Sequence, residues 1–225
     1  MWAALSLLLA GCQTTPLKPG STAPTAALPS KPAPGSVHYT VDAAHSEVLF
    51  LVYKAGTFSA FGHNHTVEAR SLTGEVYLAP DFKDSIFALK LPVKSFEVDK
   101  PETRAAEGVD FTSHPSAQDI QGTTEHMLGA DCLDAEKYPD VSIQSVSVSG
   151  TEAKAEMTLR ITLHGTARDL KVPVSVSRDG DDLTASDDFE LRQSEFGIKP
   201  FSALGGGLQV ADTLKVRVKI LSHKS

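Results

Sequence analysis

Residues 159–164 read Leu-Arg-Ile-Thr-Leu-His, and residues 171–176 read Lys-Val-Pro-Val-Ser-Val. In both segments an aliphatic residue recurs at every second position. Successive side chains of a β-strand point to opposite faces of a sheet, so this period of two predicts strands with one apolar and one polar face. The two segments therefore predict a sheet that buries one side.

Similar patterns recur along the chain, with turn sequences such as Ala79-Pro80-Asp81 and Arg178-Asp179-Gly180-Asp181 between them. About eight strands of similar length with short connections predict an all-β fold, an antiparallel barrel or a sandwich. The further predicted strands are 39–53, 65–79, 89–94, 141–149, 182–195 and 215–220.

The direction in which the apolar faces point decides what such a barrel can do. Membrane barrels turn apolar faces outward and carry aromatic girdles, whereas this chain has four tyrosines and a single tryptophan, Trp2. The apolar faces are therefore predicted to point inward. An eight-stranded interior is either filled by side chains or holds one small ligand, and the alternation alone leaves both open.

One long segment interrupts the strand pattern between Pro101 and Pro139. Thr124 as a cap, followed by Met127, Leu128 and Leu133, predicts one or two short helices that end at Pro139. Insertions of this length are usually functional, so we expect the helices to form a lid across one mouth of the barrel.

The N-terminal residues resemble a bacterial lipoprotein signal, because a Leu-Leu-Leu-Ala-Gly run ends at Cys12. We predict a signal peptide over 1–11, a lipidated Cys12 opening a proline-rich tether over 12–37, and one domain over 38–225. The alternative is a buried apolar helix with an incidental cysteine. Gln13 in place of an aspartate favours the outer membrane, with the domain facing the periplasm.

Charge and cysteine content narrow the possible partners. Lys18 and Lys31 are the only charged residues before residue 38, so the domain carries 19 basic and 28 acidic residues, a formal net charge of −9. This balance argues against binding nucleic acid or anionic lipid headgroups. Without Cys12, Cys132 has no partner for a disulfide and is predicted to be buried. A homodimer stays possible.

Six short motifs, in the same order along the chain, resemble the YceI-like family of periplasmic proteins and together span about 38–221. The resemblance implies a lipocalin-like barrel whose apolar tunnel binds a polyisoprenoid chain, such as an isoprenoid quinone or a prenyl phosphate, without catalysis. The motifs are Tyr39–Ser46, Glu125–Asp134, Tyr138-Pro139, Leu163–Thr166, Glu195–Ile198 and Val210–Asp212.

Two positions bear on which ligand the resemblance implies. Family members often have arginine where this chain has Thr123 and Gln193, so a neutral quinone is favoured over a pyrophosphate head. The segment Phe61-Gly62-His63-Asn64-His65 resembles a histidine-bearing subgroup of the family.

His63 and His65 are two residues apart, which on a strand places both rings on one face. Such a pair could share a metal with a third ligand, and the alternative function is a metal- or haem-binding redox accessory protein. Otherwise the rings face solvent at a barrel rim or hydrogen-bond the polar head of a ligand. The candidate third ligands are His45, His114, His126 and Glu68.

The sequence contains no nucleophile elbow, zinc-protease motif, phosphate loop or dinucleotide fingerprint, so we expect a binding protein that is not an enzyme and has no cofactor beyond its lipid. Asp187-Asp188 and the acidic residues over 179–182 are predicted to be solvated turn residues, with a calcium site as the alternative. The predicted ligand contacts are His45, Phe50, Phe58, Phe61, His63, His65, Leu89, His126, Met127 and Ile161.

Overall fold

The computed structural model describes residues 26–225. Its helices are α1 (Pro101–Ala106) and α2 (Ala117–Leu128). Its strands are β1 (Val37–Val41), β2 (Glu47–Val52), β3 (Lys54–Ala55), β4 (His65–Ala69), β5 (Thr73–Leu78), β6 (Ile86–Pro92), β7 (Phe96–Val98), β8 (Asp140–Thr151), β9 (Lys154–Leu163), β10 (Thr166–Asp179), β11 (Asp182–Arg192), β12 (Ser202–Ala203), β13 (Leu208–Val210) and β14 (Thr213–Lys224).

Eight strands form a closed antiparallel barrel in the order β1-β5-β6-β8-β9-β10-β11-β14. The ring closes where β14 pairs with β1, with Tyr39 opposite Lys224 and Val41 opposite Ser222. Strands β2, β4 and β7 extend the same wall, because β2 also pairs with β14 and β4 lies between β2 and β7. The predicted eight-stranded barrel is confirmed.

Two of the predicted strands are interrupted near their middle. The segment 39–53 divides into β1 and β2 at a turn in which the Asp42 carboxylate accepts hydrogen bonds from the backbone N–H groups of Ala44 and His45, at 2.9 and 3.3 Å. Such side-chain bonds compete with the strand ladder. The segment 65–79 divides into β4 and β5 beside Ser71, whose φ is +57°.

The apolar faces point inward, as the alternation predicts. On β9, Met157, Leu159 and Ile161 are buried while Glu156 and Arg160 are exposed. The outer face carries cross-strand ion pairs, including Arg160 with Asp169 at 2.8 Å. Burial of apolar area is the main favourable term in folding, so this two-faced pattern is what closes the sheet on itself.

The helices start and end at different residues from those predicted. α2 begins after Ser116, whose hydroxyl accepts from the Asp119 N–H at 3.2 Å while the Asp119 carboxylate accepts from the Ser116 N–H at 2.9 Å. This capping box outcompetes Thr124, which lies inside the helix and donates to the Ile120 carbonyl at 2.8 Å. The helix ends at Leu128, with Gly129 as its C-cap, rather than at Pro139.

The predicted tether is described only in its last part. Cys12 and the predicted signal peptide lie outside the described residues, while residues 26–36 contain no helix or strand and the Ala27 carbonyl accepts a hydrogen bond from Gln144 on β8. This stretch therefore lies against the barrel. Over residues 26–225, no helix combines the length and the apolarity needed to cross a bilayer.

Candidate functional site

The barrel encloses a cavity of about 940 Å³. Its walls are apolar side chains from all sides of the barrel, including Leu91, Ile143, Ile161, Val172 and Val216. Small-molecule sites usually occupy about 300–1,000 Å³, so this lumen lies near the upper end of that range. Of the two interiors that the sequence left open, the structure has the one with a ligand-sized cavity.

Helix α2 lies over one end of this lumen. Ile120 and Met127 pack against the barrel core, and Asp119, Glu125 and His126 are among the helix residues that line the cavity. The shorter helix α1 lies outside the wall, where its buried Arg104 reaches the loop before β4. One of the two helices therefore occupies the position predicted for a lid.

The two histidines of the predicted pair both line the cavity beneath α2, with ring centroids 6.3 Å apart. Asn64 between them points away. Its Oδ1 accepts from the Lys54 N–H at 3.0 Å, and its Nδ2 donates to the Asp110 carbonyl at 2.8 Å. The opposite faces predicted for 63–65 are confirmed, although only His65 belongs to a strand.

A buried carboxylate orients His65. The His65 Nδ1 lies 2.6 Å from Asp99 Oδ2, and Asp99 Oδ1 accepts from the Thr66 N–H at 3.0 Å and from Arg104. Burial alone would raise the pKa of Asp99, but the hydrogen bonds from His65, Thr66 and Arg104 outweigh it and hold that pKa below its ordinary value. An ionised Asp99 fixes His65 with Nδ1 as the donor.

Arg104 ties this network to the neighbouring loop. Its guanidinium donates to the carbonyls of Asn64, Phe111 and Ser113 at 2.7, 3.0 and 2.8 Å. These hydrogen bonds fix the position of the histidine-bearing segment 63–65. Asp99 and Arg104 were missed at the sequence level, because neither belongs to a motif and both lie more than 30 residues along the chain from His65.

In the described part of the chain, no third metal ligand reaches the histidine pair. Glu68 lies on the other face of β4, bonded to Thr103 and Arg70. His114 is exposed, and His45 is bound to Asp42 with its side chain 72% exposed. Over residues 26–225 no group of three or more His, Cys, Asp or Glu side chains is arranged to hold a metal ion.

Eight of the ten predicted ligand contacts line the cavity and two do not. His45 is carried outward by the Asp42 turn, and Phe58 packs beside Gly207 at the barrel rim. Phe61 reaches the cavity but is 80% exposed. The eight that line it are Phe50, Phe61, His63, His65, Leu89, His126, Met127 and Ile161.

Basic side chains are scarce in the lumen. Within the described part of the chain, Lys54 is the only lysine or arginine that lines the cavity, and its Nζ donates to the Gly62 carbonyl at 3.0 Å. Thr123 and Gln193 also line it, as neutral groups. Gln193 donates its Nε2 hydrogen to the Ala211 carbonyl at 2.9 Å. This lining offers little to an anionic head.

Two residues differ from their predicted settings. Cys132 is half-buried rather than fully buried and lines the cavity, where burial raises the pKa of its thiol to about 11. Asp187 is not a turn residue, because it lies within β11 and lines the lumen. The acidic residues 179–182 do form the turn between β10 and β11.

A closed antiparallel barrel of eight strands, with an apolar cavity and a helix over one end, is a lipocalin-like barrel. The family model of the YceI-like domain matches residues 39–221, and the chain belongs to this family. A search of curated proteins finds no match.

Solved structures share the fold at low sequence identity. BcnA of Burkholderia cenocepacia is 18% identical with a TM-score of 0.59, covering 80% of this chain and 98% of BcnA. A polyisoprenoid-binding domain from Saccharophagus degradans is 12% identical with a TM-score of 0.59, covering 84% and 99%. The Campylobacter jejuni YceI protein is 14% identical with a TM-score of 0.51, covering 71% and 84%.

Proposed function

We propose that this protein binds and carries one isoprenoid-type lipid in its barrel without catalysing a reaction. The observation that carries the proposal is the apolar lumen of about 940 Å³ inside a closed barrel. A cavity of this size and lining suits a hydrocarbon chain better than a polar metabolite, because a polar group buried without partners loses its hydration.

Burial of the chain supplies the affinity. Each methylene removed from water contributes about 0.8 kcal/mol, so a chain of several isoprene units reaches tight binding even after the loss of its translational and conformational freedom. No reactive side chain is needed. The name of the polyisoprenoid-binding domain from Saccharophagus degradans, which has the same fold, supports this ligand class.

The charges of the lumen favour a neutral head over a phosphate. Lys54 is the only lysine or arginine in the described lining, whereas Asp119, Glu125 and Asp187 are acidic. An isoprenoid alcohol, quinol or quinone therefore suits the lumen better than a prenyl phosphate.

We further propose that Cys12 is lipidated and holds the domain at the outer membrane, facing the periplasm. The support is the apolar run before Cys12 and the proline-rich residues after it. Labelling with a radioactive fatty acid tests this. The native chain should incorporate label and Cys12→Ser should not, whereas equal labelling of both would contradict the anchor.

The lipid itself is identified by extraction. The full chain, purified from a bacterial envelope, should release a stoichiometric isoprenoid lipid on solvent extraction and mass spectrometry. Loading of the stripped protein with geranylgeraniol should then restore a one-to-one complex. Protein that repeatedly yields no lipid and takes up neither geranylgeraniol nor a prenylated quinone contradicts the proposal.

A further inference from the structure

One acidic side chain breaks the apolar lining of the lumen at mid-height. Along β11, Leu183, Ala185, Phe189 and Leu191 line the cavity at alternate positions, and Asp187 takes the central place in that series. Its neighbour Asp188 points outward, 3.4 Å from Arg217. Asp187 therefore stands where the strand period calls for an apolar residue.

The lumen-facing neighbours of Asp187 along β11, and the residue opposite it on β14, are apolar. Val218 of β14 lies opposite it in the ladder, and Ala185 and Phe189 flank it along β11. Arg217 and Lys219 adjoin Val218 in sequence, so they belong to the outer face of β14, where Arg217 binds Glu107 at 2.6 Å. No basic side chain comes to the carboxyl from β14.

One oxygen of this carboxyl lacks any partner. Oδ2 of Asp187 is buried and forms no hydrogen bond with any residue in 26–225. Burial raises the pKa of the carboxyl above its ordinary value, and a hydroxyl head that donates to the carboxylate opposes this shift by stabilising the ionised form. A buried acceptor without a donor is unfavourable, so a ligand that brings a donor to this point gains a charge-assisted hydrogen bond that pure hydrocarbon does not.

We propose that Asp187 is the headgroup site of the lumen and selects an isoprenoid lipid with a hydroxyl head, which enters head-first. This proposal rests on the proposed function. A hydroxyl head can donate a hydrogen bond to the carboxylate, whereas a quinone carbonyl or an ether oxygen can only accept one. A negatively charged phosphate head is repelled by the negative carboxylate. The hydrocarbon tail then extends from mid-height along the apolar wall.

The test uses two ligands that differ only in the donor. Geranylgeraniol and its methyl ether have the same chain, and they compete at equal concentration for the full-length protein while native mass spectrometry counts both complexes. The wild type should prefer the alcohol by at least about tenfold, the usual effect of a hydrogen bond to a charged group.

The variants separate Asp187 from other polar groups. Asp187→Leu should remove the preference and bind the ether more tightly than the wild type does, and Asp187→Asn should reduce the preference with little change of shape. Asp188→Leu, the outward neighbour, should keep it.

The failures are distinguishable. If the wild type binds alcohol and ether equally, or if the preference survives in Asp187→Leu and Asp187→Asn, the Asp187 site is refuted while lipid binding stands. If neither ligand binds, the headgroup site is refuted, and if a prenylated quinone is not taken up either, lipid carriage itself is overturned.

Discussion

Val174→Phe tests whether a ligand chain runs through the middle of the barrel. Val174 lies on β10, lines the lumen and is only partly buried, so its side chain borders open space. Phenylalanine would extend from this wall into the cavity. The matched control is Ser175→Phe, which places the same ring one residue along the strand on the exposed outer face.

The expected size of the effect follows from the carbon atoms involved. Phenylalanine adds about four carbon atoms to valine, and at about 0.8 kcal/mol for each buried carbon the lumen loses room for about 3 kcal/mol of ligand contact. This corresponds to a dissociation constant roughly a hundredfold higher. The free protein should not lose stability, because filling a cavity commonly stabilises a domain by about 0.5–2 kcal/mol.

The assay measures both quantities. Native mass spectrometry titrates geranylgeraniol, and thermal unfolding by circular dichroism should show the melting temperature of Val174→Phe unchanged or raised by up to about 8 °C. Ser175→Phe should bind as the wild type does. Unchanged affinity in Val174→Phe would show that the chain avoids mid-height, and destabilisation by several kcal/mol would show that the lumen is packed solid.

Three further predictions concern charge and reactivity. Arg104→Met leaves Asp99 buried beside the histidine pair without its cation, and urea unfolding should show a loss of about 3–5 kcal/mol that Arg104→Lys only partly repairs. Hydrogen bonds with Asp42, and secondarily with Asp182, raise the pKa of His223 above 6.5. The wild type should therefore be more stable than His223→Gln at pH below 6.5, and this advantage should fade as the pH rises through the raised pKa. Parallel pH-stability curves for the two proteins would contradict this prediction. Because burial raises the pKa of Cys132 to about 11, iodoacetamide at pH 8 should alkylate the native thiol far more slowly than the urea-unfolded one, and equal rates by mass spectrometry would refute this.

Residues whose inward orientation follows from the strand period were the most predictable part of the site. Leu89 and Ile161 line the lumen because alternation alone sends them inward once the apolar face is inside. Asp187 obeys the same period, yet a pair of adjacent aspartates is more typical of a turn. The alternation along 183–191 was therefore enough to place Asp187 in the lumen, but the adjacent pair of aspartates led to the prediction of a turn instead.

Residues that act through long-range contacts were not predictable. Asp99 reaches His65 only because β7 pairs antiparallel with β4. Asp99 directly follows β7 and therefore lies beside the start of β4, where His65 is. His45 and Phe58 seemed equivalent to the lining residues in sequence, but the Asp42 turn and the packing beside Gly207 carry them away from the cavity. Local patterns hold no information about such neighbours.

By itself the sequence determined the strands and their inward apolar face, because period-two alternation is a local property that every strand repeats. The choice of a barrel over a sandwich came from the resemblance of its motifs to the YceI-like family. Only the tertiary structure decided that the interior is a cavity of about 940 Å³ rather than a packed core. It also decided that a buried carboxylate orients His65 and that an unpartnered Asp187 faces the lumen. The cavity and these side-chain contacts depend on the distance between opposite walls of the barrel, and the closure of all eight strands together sets that distance.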